Sequence, residues 1–463
     1  MSRQEAHSEW RETLMLDPVA DALRRHPGVH DWLARHTRRT SAQSYLVADR
    51  LESERMVSSE TVALEVMNDH RASTGEARRG SASIAVLPSD LDRLGRRLDE
   101  AVFMASLAGN PPYGLPAPAP LPAVASSDDV ILTDPMGVAG QVTRELQSAL
   151  AGERGVRLSS AEVFVESTHT EFRNSRGIAA AMSGAEVFLD FVILAKDGAG
   201  DAEMESSVAV HRRHVRDMRV AELARRHAQY ARDALVAKLP TTGTWPVLVT
   251  DDALVDVVAG AMIGYQLPSL LFRTSAKAKY QRLSPLEVGQ SLFGETPATG
   301  DAFNVYSNSL LPYGLRTWAF DAEGLPGHRL QIVENGQLAR WVGGQRHADY
   351  LNVPATGEFG NLEIDPGSIS LAELGRPTAQ GRLIQVVVWS FMRPDIVTGD
   401  FVCEIRLGYE ITREGKRPIK GGSVSGNLFA ALAGAHFSRE TALMGHYQGP
   451  VGIRFPGLTV SGK

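Results

Sequence analysis

The sequence predicts an α+β fold, with a mixed α/β domain over residues 1–240 and an antiparallel β-rich domain over residues 241–463. Strand patterns and long helical patterns alternate in the first half of the chain. The TTGTWP stretch at 241–246 separates the two halves, and beyond one further helix the second half is rich in strand patterns and glycine. Short alternating runs bounded by turn residues are typical of antiparallel sheets.

The first half opens with strands, a helix and a proline-rich segment. Alternation predicts strands between Ser44 and Val86, and residues 89–109 carry one apolar helical face. The segment PPYGLPAPAPLPAV at 111–124 predicts an extended connector, because proline at this density cannot join a helix or a sheet interior. A ligand for an SH3-type domain is the alternative role of such a segment.

The remaining elements follow the same periodicities. Residues 134–151 predict a helix, a β-meander with a hairpin turn at 174–177 comes next, and residues 218–239 predict a second long helix. In the second half, Asn335 and Gly336 predict a hairpin turn, because both residue types tolerate positive φ. The predicted strands beyond it are LIQVVVWSF, FVCEIRLGYEI and VGIRF, with a short helix in GNLFAALAGA.

Composition narrows the class of protein. The net charge of -6 gives no electrostatic reason to expect nucleic acid as a partner. The N-terminal MSRQEAHSEWRETLML has charges where a signal peptide needs an apolar run, and no stretch approaches the length of a membrane span. Cys403 is the only cysteine, which excludes an intramolecular disulfide and any zinc site with two of this chain's cysteines. We therefore expect a cytoplasmic protein without membrane contact.

The segment PVLVTDDALVDVVAGAM at 246–262 places two carboxylates where a β-like run meets a helical pattern. Asp251 and Asp252 belong either to a metal or proton-transfer site or to a helix cap. A metal would need ligands one turn on, where only Asp252 and Asp256 converge, with no histidine or cysteine near in sequence. The cap is favoured, because Thr250 or Asp251 can accept a free backbone N–H and acidic residues suit the helix N-terminus.

The segment HRRHVRDMR at 211–219 places two histidines three residues apart. If this segment is helical, His211 and His214 share a face as a metal pair would, but the surrounding arginines oppose a cation. His227 falls on the apolar stripe of the second long helix, which predicts a hydrogen-bonded interior histidine. A solvated or partner-facing surface is expected for the arginines of this region, which are Arg212, Arg213, Arg216, Arg219, Arg225 and Arg226.

The C-terminal region offers weaker signals. GGSVSGN at 421–427 predicts a glycine-rich turn with a Ser or Asn cap, because it lacks the lysine and hydroxyl of a phosphate-binding P-loop. His436 and His446 would meet Cys403 only through folding that the sequence does not reveal. GxSxG, HExxH and GxGxxG patterns in the right context are absent from the sequence. From the residues alone, the chain shows no catalytic machinery.

Four segments together resemble the TldD/PmbA family, also called the modulator of DNA gyrase family. They are NSRG at 174–177, FDAEGLPGHRLQIVENGQL at 320–338, FMRPDIVTGDF at 391–401 and IKGGSVSGNLFAAL at 419–432. Their order and spacing match the family from about Ser44 onward. One departure is PATGEFGN at 354–361, where the family usually has a serine-threonine-glycine-asparagine run.

The resemblance implies an N-terminal mixed α/β domain, a C-terminal β-rich domain, and dimers. In the family, TldD-type subunits carry zinc on an HExxxH helix and add a cysteine near the C-terminus, whereas PmbA-type subunits, also called TldE, lack both. In this sequence HExxxH would fall on Thr250 or Asp251 and then on Leu254 or Val255, and aliphatic side chains cannot ligate zinc. The tail around Met444 holds no cysteine.

The resemblance thus predicts a metal-free, TldE-like subunit with no catalytic, cofactor-binding or metal-binding residues of its own. Its partner would be a TldD-like zinc protease subunit in a heterodimer, or a second copy in a homodimer, and its substrate an unfolded or leader peptide. Two alternatives stay open at this point. One is a self-standing homodimeric binding or regulatory protein, and the other is an independent hydrolase with a site assembled from His436, His446 and scattered carboxylates.

Overall fold

The computed structural model describes residues 16–197, 202–258 and 269–462. The helices of these residues are α1 Leu16–Arg25, α2 Leu94–Ser106, α3 Asp129–Thr133, α4 Pro135–Ala151, α5 Val220–Val236, α6 Asp251–Val258, α7 Ser269–Arg273, α8 Ala276–Tyr280, α9 Gln345–Leu351, α10 Leu371–Leu374 and α11 Leu428–Leu432. Short 3-10 helices cover Pro88–Arg93 and Val215–Met218.

Three sheets contain the strands. The first half of the chain supplies β1 Asp31–Val47, β2 Arg50–Arg71, β3 Ala77–Val86, β4 Val156–Asn174, β5 Ala179–Lys196 and β6 Glu203–Arg212. The second half supplies β7 Gly243–Thr250, β8 Val305–Asn308, β9 Arg329–Glu334, β10 Gln337–Leu338, β11 Asn361–Ile364, β12 Arg382–Trp389, β13 Asp400–Thr412, β14 Gly415–Ile419, β15 Ser423–Asn427, β16 His436–Phe437, β17 Thr441–Met444, β18 Tyr447–Pro450 and β19 Gly452–Ser461. The predicted α+β class is confirmed.

The first sheet is antiparallel throughout, in the order β3-β2-β1-β4-β5-β6. Helices cover one of its faces. The apolar face of α2 predicted from the sequence is buried with α1 against β1, β2 and β3, and α4 and α5 pack over β4, β5 and β6. Because side chains alternate along a strand, every second residue of β5 from Ala185 to Ala195 is buried.

The second half folds into the other two sheets. One has the order β10-β9-β8-β11-β18-β17. In the other, the path β12-β7-β19-β15-β13 closes into a ring because β12 also pairs with β13, and β14 and β16 add to its outside. Most pairings are antiparallel, as predicted, but β7 runs parallel to β12 and β11 parallel to β18. Buried side chains of β7, β12 and β19 pack with α6 in the core of this half.

The proline-rich connector is extended, as predicted, and lies against its own chain. The backbone carbonyl of Tyr113 accepts a hydrogen bond from Nη1 of Arg79 at 2.7 Å, and that of Pro116 accepts one from Nδ2 of Asn174 at 2.9 Å. Leu115 packs into a small cluster with Phe172 of β4 and Phe320 of the second half. The connector is therefore part of the contact between the two halves.

Both predicted hairpin turns are present. The N–H of Gly177 donates to the carbonyl of Asn174 at 3.2 Å, between β4 and β5. Asn335 and Gly336 adopt φ values of 48° and 76° between β9 and β10, the conformation that selects these residue types. Within the described ranges, no helix combines the length and apolar character that a bilayer crossing requires. The domain division after residue 240 stays a prediction.

Candidate functional site

The junction of β7 and α6 is the position where the family resemblance places a metal helix. β7 is one of the strands of the closed ring and lies between β12 and β19. The helix α6 starts directly at the end of β7. Thr250, the last strand residue, is buried, and its Oγ1 accepts a hydrogen bond from Nε2 of Gln385 on β12 at 3.1 Å. The hydroxyl of Thr250 is therefore used to hold two strands of the ring together.

Asp251 begins α6 in the left-handed region, with φ of 54°. A non-glycine residue rarely adopts this conformation, although Asp tolerates it better than most. Its Oδ1 accepts a hydrogen bond from Nη1 of Arg226 on α5 at 2.6 Å. The predicted side-chain cap is wrong, because Thr250 and Asp251 direct their hydrogen bonds to Gln385 and Arg226. The acidic first turn of the helix, with Asp251 and Asp252, is as predicted.

His227 connects α5 to the same junction. It is fully buried, and its Nδ1 lies 2.9 Å from Oγ of Ser206 on β6, as expected for a hydrogen-bonded interior histidine. Its Nε2 lies 3.5 Å from Oδ2 of Asp252. Burial, together with the nearby Arg226 guanidinium, lowers the pKa of His227 to about 3. A neutral imidazole that resists protonation links the two halves but is a poor general base at neutral pH.

Ser206, His227 and Asp252 follow one another in space as the serine, histidine and carboxylate of a nucleophilic triad do. The surroundings of Ser206 do not suit catalysis. Ser206 is buried, and the pocket beside it is of the size of a water molecule. We therefore interpret the contact between Ser206 and His227 as a structural link between β6 and α5, with Nε2 of His227 near Asp252 of α6 but not hydrogen-bonded to it.

The carboxylates of α6 have unusual proton affinities. Partial burial raises the pKa of Asp252 to about 6, although the Arg226 guanidinium acts in the opposite direction. Burial, reinforced by the neighbouring Asp252 carboxylate, raises the pKa of Asp256 to about 7. Two carboxylates one helical turn apart hold protons more readily when no cation neutralises them.

The positions that the family resemblance assigns to zinc ligands take part in packing, hydrogen bonding and ion pairing. Leu254 is buried in the core and Val255 packs against it, so the positions of the second family ligand serve packing. The Arg226 guanidinium already neutralises Asp251, and a second cation there would be repelled. Among the described residues, no group of three or more His, Cys, Asp or Glu side chains has the geometry of a metal site.

The two histidines of HRRHVRDMR do not share a helical face. His211 lies near the end of β6, where its ring is 4.5 Å from that of Phe188 on β5. His214 precedes the 3-10 helix, and its Nδ1 lies 3.0 Å from Oδ2 of Asp128 and 3.4 Å from the backbone nitrogen of Arg216. The condition for a shared histidine face is not met, because the strand pairing of β6 with β5 continues to Arg212.

The arginines of this segment divide into two groups. Arg216, Arg219 and Arg225 are exposed, as predicted. Arg212, Arg213 and Arg226 are half-buried. Arg213 donates to the backbone carbonyls of Leu315 and Thr317 at 2.8 and 2.9 Å, across the contact between the halves. For this residue the prediction of a solvated surface is wrong, and burial lowers its pKa.

His436, His446 and Cys403 have different neighbours. Nδ1 of His436 lies 3.1 Å from Oδ1 of Asp301. The backbone carbonyl of His446 accepts from the N–H of Leu362, in the turn between β17 and β18. Cys403 is buried with its Sγ 2.9 Å from Sδ of Met392, and burial raises the pKa of its thiol. Of the three residues, His436 has a carboxylate neighbour, which the alternative of a hydrolase site assembled from His436, His446 and scattered carboxylates requires.

The glycine-rich GGSVSGN segment is a turn followed by β15. Gly421 and Gly422 have φ values of 72° and 68°, and Asn427 caps α11 by accepting the N–H of Ala430 at 3.1 Å. The predicted glycine turn with an Asn cap is confirmed. α11 covers only five residues.

A second acidic pair, in the FDAEG segment, was not predicted as a site. Asp321 is buried and accepts the N–H groups of Glu323, Leu325 and Glu358 at 2.9 to 3.0 Å. Glu323 accepts the N–H of Gln345 at 2.6 Å at the start of α9, and burial raises the pKa of Glu323 to about 7. The sequence analysis identified this segment as part of the family resemblance. It did not identify the loops whose N–H groups the two carboxylates bind.

Asn361 occupies the end of the divergent PATGEFGN segment. It is fully buried, and its Oδ1 accepts the N–H of Arg316 at 2.9 Å. Its Nδ2 donates to the carbonyl of Asn308 and to Oγ1 of Thr317. This asparagine therefore fixes the loop between β8 and the FDAEG segment, whatever the preceding residues are.

Comparison with known proteins places these features in a family. Residues 242–462 match the model of the PmbA/TldA metallopeptidase C-terminal domain. The C-terminal half is a PmbA/TldD-family domain. The resemblance predicted from the sequence is thereby confirmed.

The relatives are distant in sequence and close in fold. The chain is similar to a zinc metalloprotease TldD homolog from Saccharolobus solfataricus, with 20% identity over 294 residues, which covers 60% of this chain and 62% of that relative. It is also similar to TldE from Thermococcus kodakarensis, with a TM-score of 0.78, 16% identity, and coverage of 96% of this chain and 100% of that chain. A candidate modulator of a DNA gyrase from Thermotoga maritima matches with the same TM-score and coverages at 18% identity. At such identities, the structural likeness shows the fold alone.

Proposed function

We propose that this chain is a TldE-like, metal-free partner subunit of a TldD/TldE-type zinc metalloprotease that acts on unfolded or leader peptides in the cytoplasm. The observation that carries the proposal is the chemistry of the β7–α6 junction. Leu254 and Val255 pack into the core there, and Arg226 neutralises Asp251. A PmbA/TldD-family domain with this junction has the frame of a metal helix without its ligands.

The proposed contribution of this chain is one wall of the peptide chamber. The second half is built mainly from strands, and extended peptides bind commonly by adding to a sheet edge. Main-chain hydrogen bonds of that kind give affinity with little demand on sequence, which suits unfolded substrates. The bond-breaking chemistry would then belong to the TldD-like subunit.

Co-expression with the TldD-like chain of the same organism tests the proposal. We expect the two chains to co-purify, and we expect cleavage of an unstructured peptide by the pair and by neither chain alone. Replacement of the HExxxH glutamate in the TldD-like chain is the matched control and should abolish cleavage while leaving the complex intact. Cleavage by this chain in the absence of any partner would contradict the proposal, as would failure of the two chains to associate.

A further inference from the structure

The face of the first sheet opposite its helices carries two adjoining pairs of side chains on β4 and β5. Phe164 lies directly opposite Phe188, with ring centroids 5.5 Å apart, and the two form the ring pair. Glu162 lies directly opposite Asp190, and these two form the carboxylate pair. Because side chains on one face of a strand recur at every second residue, the two pairs occupy neighbouring rows about 7 Å apart.

The ring pair is part of a longer aromatic row. The ring of Tyr45 on β1 lies 5.5 Å from that of Phe164, and the ring of His211 on β6 lies 4.5 Å from that of Phe188. All four side chains are partly exposed. The face of an aromatic ring attracts a cation, and a lysine or arginine side chain can lay its methylene stem on apolar surface while its charged head reaches further.

The carboxylate pair has no counter-charge in this chain. Among the described residues, no lysine, arginine or histidine forms an ion pair with Glu162 or Asp190. Burial raises the pKa of Asp190, and the neighbouring Glu162 carboxylate raises it further. Like charges directly opposite each other destabilise a strand pair. A cation bound between the two carboxylates would therefore remove an unfavourable interaction.

The row on the other side of the ring pair shows the contrast. Glu166 and Glu186 also lie directly opposite each other. Glu166, however, forms an ion pair with Arg39, and the Arg213 guanidinium acts as a counter-charge to Glu186. Of the two acidic rows that flank the rings, only the carboxylate pair lacks cations from the described residues. Charge complementarity thus selects a cationic ligand at that position.

The size and charge of this surface decide between the ligands that stack on aromatic rings. Nucleic acid bases stack on sheet aromatics, but two carboxylates beside the rings would repel their phosphates. The two pairs span only two strands and two rows, so they match one long side chain. An unfolded peptide presents its lysine and arginine side chains at full length, because no fold of its own holds them.

We propose that the ring pair and the carboxylate pair form a subsite for one lysine or arginine side chain of an unfolded peptide. The methylene stem would lie on the two rings, and the ammonium or guanidinium group would lie between the two carboxylates. This inference rests on the proposed function, which supplies unfolded peptides as substrates. It narrows the substrate class to peptides that contain basic residues.

Fluorescence anisotropy of a labelled peptide tests the subsite. The probe is an unstructured glycine-serine peptide that contains lysines, and its control has glutamate at each lysine position. Both are titrated with the isolated chain and with the complex that carries the inactive TldD-like chain described above. We expect the lysine peptide to bind about tenfold or more tightly than the glutamate peptide in both samples.

A double variant locates the binding. Glu162→Gln with Asp190→Asn should weaken binding of the lysine peptide about tenfold, because both carboxylates lose their charge. Asp92→Asn with Glu295→Gln is the matched control, since it removes the same charge from two exposed positions without a contact partner, and it should change the affinity less than about twofold. Equal affinities of the two double variants and wild type, with normal circular dichroism, would overturn the subsite.

A ring variant adds an independent measurement. Phe188→Leu keeps an apolar side chain but removes one ring face, and it should weaken binding of the lysine peptide about threefold. The affinity for the glutamate peptide should not change. An unchanged affinity of this variant for the lysine peptide would contradict the proposed contact between the stem and the ring pair.

Other occupants of this face give different results. Tighter binding of a single-stranded oligonucleotide than of the lysine peptide would assign the rings to nucleic acid. A dimer of the isolated chain that Glu162→Gln with Asp190→Asn dissociates in sedimentation velocity would assign the face to a second copy. Lysine-peptide binding by the isolated chain but not by the complex would show that the partner subunit covers the face. Each of these results overturns the subsite.

Failure of the subsite and failure of the proposed function are distinguishable. Cleavage by the active complex that prefers neither peptide, together with charge-independent binding, would overturn the subsite and leave the proposed function standing. Lysine-peptide binding that requires Glu162 and Asp190, with no cleavage by the active complex, would overturn the proposed function and leave the binding site for a basic side chain.

Discussion

Two pairs of carboxylates lie near the contact between the halves of the chain, and their partners differ. Asp251 and Asp252, at the start of α6, face side chains of α5, with the Arg226 guanidinium at 2.6 Å and the His227 imidazole at 3.5 Å. Asp321 and Glu323 instead accept backbone N–H groups of their own loop and of neighbouring ones. The same residue type therefore joins secondary structure elements in one place and shapes loops in the other.

The difference has an energetic consequence. A carboxylate that satisfies several buried N–H groups cannot be removed without leaving those donors unpaired, and each unpaired donor costs about 1–3 kcal/mol. A carboxylate in an ion pair with partly exposed partners contributes less, because water and salt screen it. Arg226 and Asp251 keep 33% and 23% of their side-chain surface exposed. Loss of Asp321 should therefore be more damaging than loss of Arg226.

Asp321→Ala should have the largest effect of the variants considered. We expect the free energy of unfolding to fall by about 3 kcal/mol, because three backbone N–H groups lose their acceptor. Urea denaturation followed by circular dichroism measures it. Asp349→Ala is the matched control, since this exposed carboxylate accepts one backbone N–H, from Gly114, and its loss should cost about 0.5 kcal/mol. Equal losses for both variants would contradict the account of the FDAEG loop.

Arg226→Gln should destabilise the protein by about 2 kcal/mol, because it leaves Asp251 without its counter-charge at the contact between α5 and α6. The double variant Arg226→Gln with Asp251→Asn should recover part of that loss, since no unpaired charge remains. Arg225→Gln, the exposed neighbour on the same helix, is the matched control and should change stability by less than about 0.5 kcal/mol. If the stability losses of the single variants Arg226→Gln and Asp251→Asn add up to the loss of the double variant, the ion pair is unimportant for stability.

The pKa of Asp256 predicts a pH-dependent effect. Its folded pKa of about 7 lies above the ordinary value of 3.8, so the folded state binds the proton more tightly than the unfolded state. The resulting destabilisation is absent below pH 3.8 and complete above about pH 7. Asp256→Asn, which stays neutral, should therefore match wild type near pH 4 and exceed its stability by about 1.5 kcal/mol at pH 8. A stability difference that is constant from pH 4 to pH 8 would contradict the raised pKa.

His227 should make the stability depend on pH in the opposite direction to Asp256. Its folded pKa of about 3 lies below the ordinary 6.5, so protonation favours unfolding as the pH falls through that interval.

The smallest effect is expected for Ser206→Ala, which removes the hydroxyl beside Nδ1 of His227 and should lower the free energy of unfolding by about 1 kcal/mol. Ser207→Ala, on the neighbouring position of β6, is the control and should be nearly neutral. A larger loss of stability for Ser207→Ala than for Ser206→Ala would contradict the structural role given to Ser206.

Much of the fold was predictable from local pattern, and the chemistry of the junction was not. Alternation and turn residues identified β2, β3, β4, β5 and the hairpin at Asn335 and Gly336, because both signals act over a few residues. The part of β1 before Ser44 and the whole of β6 were not predicted. The role of Thr250 depends on Gln385, which is 135 residues away, and that of Asp251 on Arg226, which is 25 residues away. A cap is a local interaction, and here these distant partners replace it.

The same limit explains why the sequence left the conformation at His211 and His214 open. Spacing alone allowed a shared helical face, but pairing of β6 with β5 extends the strand to Arg212. Strand pairing is decided by contacts distant in sequence, which local spacing does not contain. His227 was predicted correctly, because an apolar helical stripe is itself a local pattern.

The zinc content of the purified chain tests the central claim most directly. After expression with zinc in the medium and exhaustive dialysis, elemental analysis by mass spectrometry should find far less than one zinc per chain. The TldD-like chain, prepared in parallel, should retain its metal. A content close to one zinc per chain, lost when Asp252 and Asp256 are both replaced by Asn, would contradict the claim that the β7–α6 junction holds no catalytic metal.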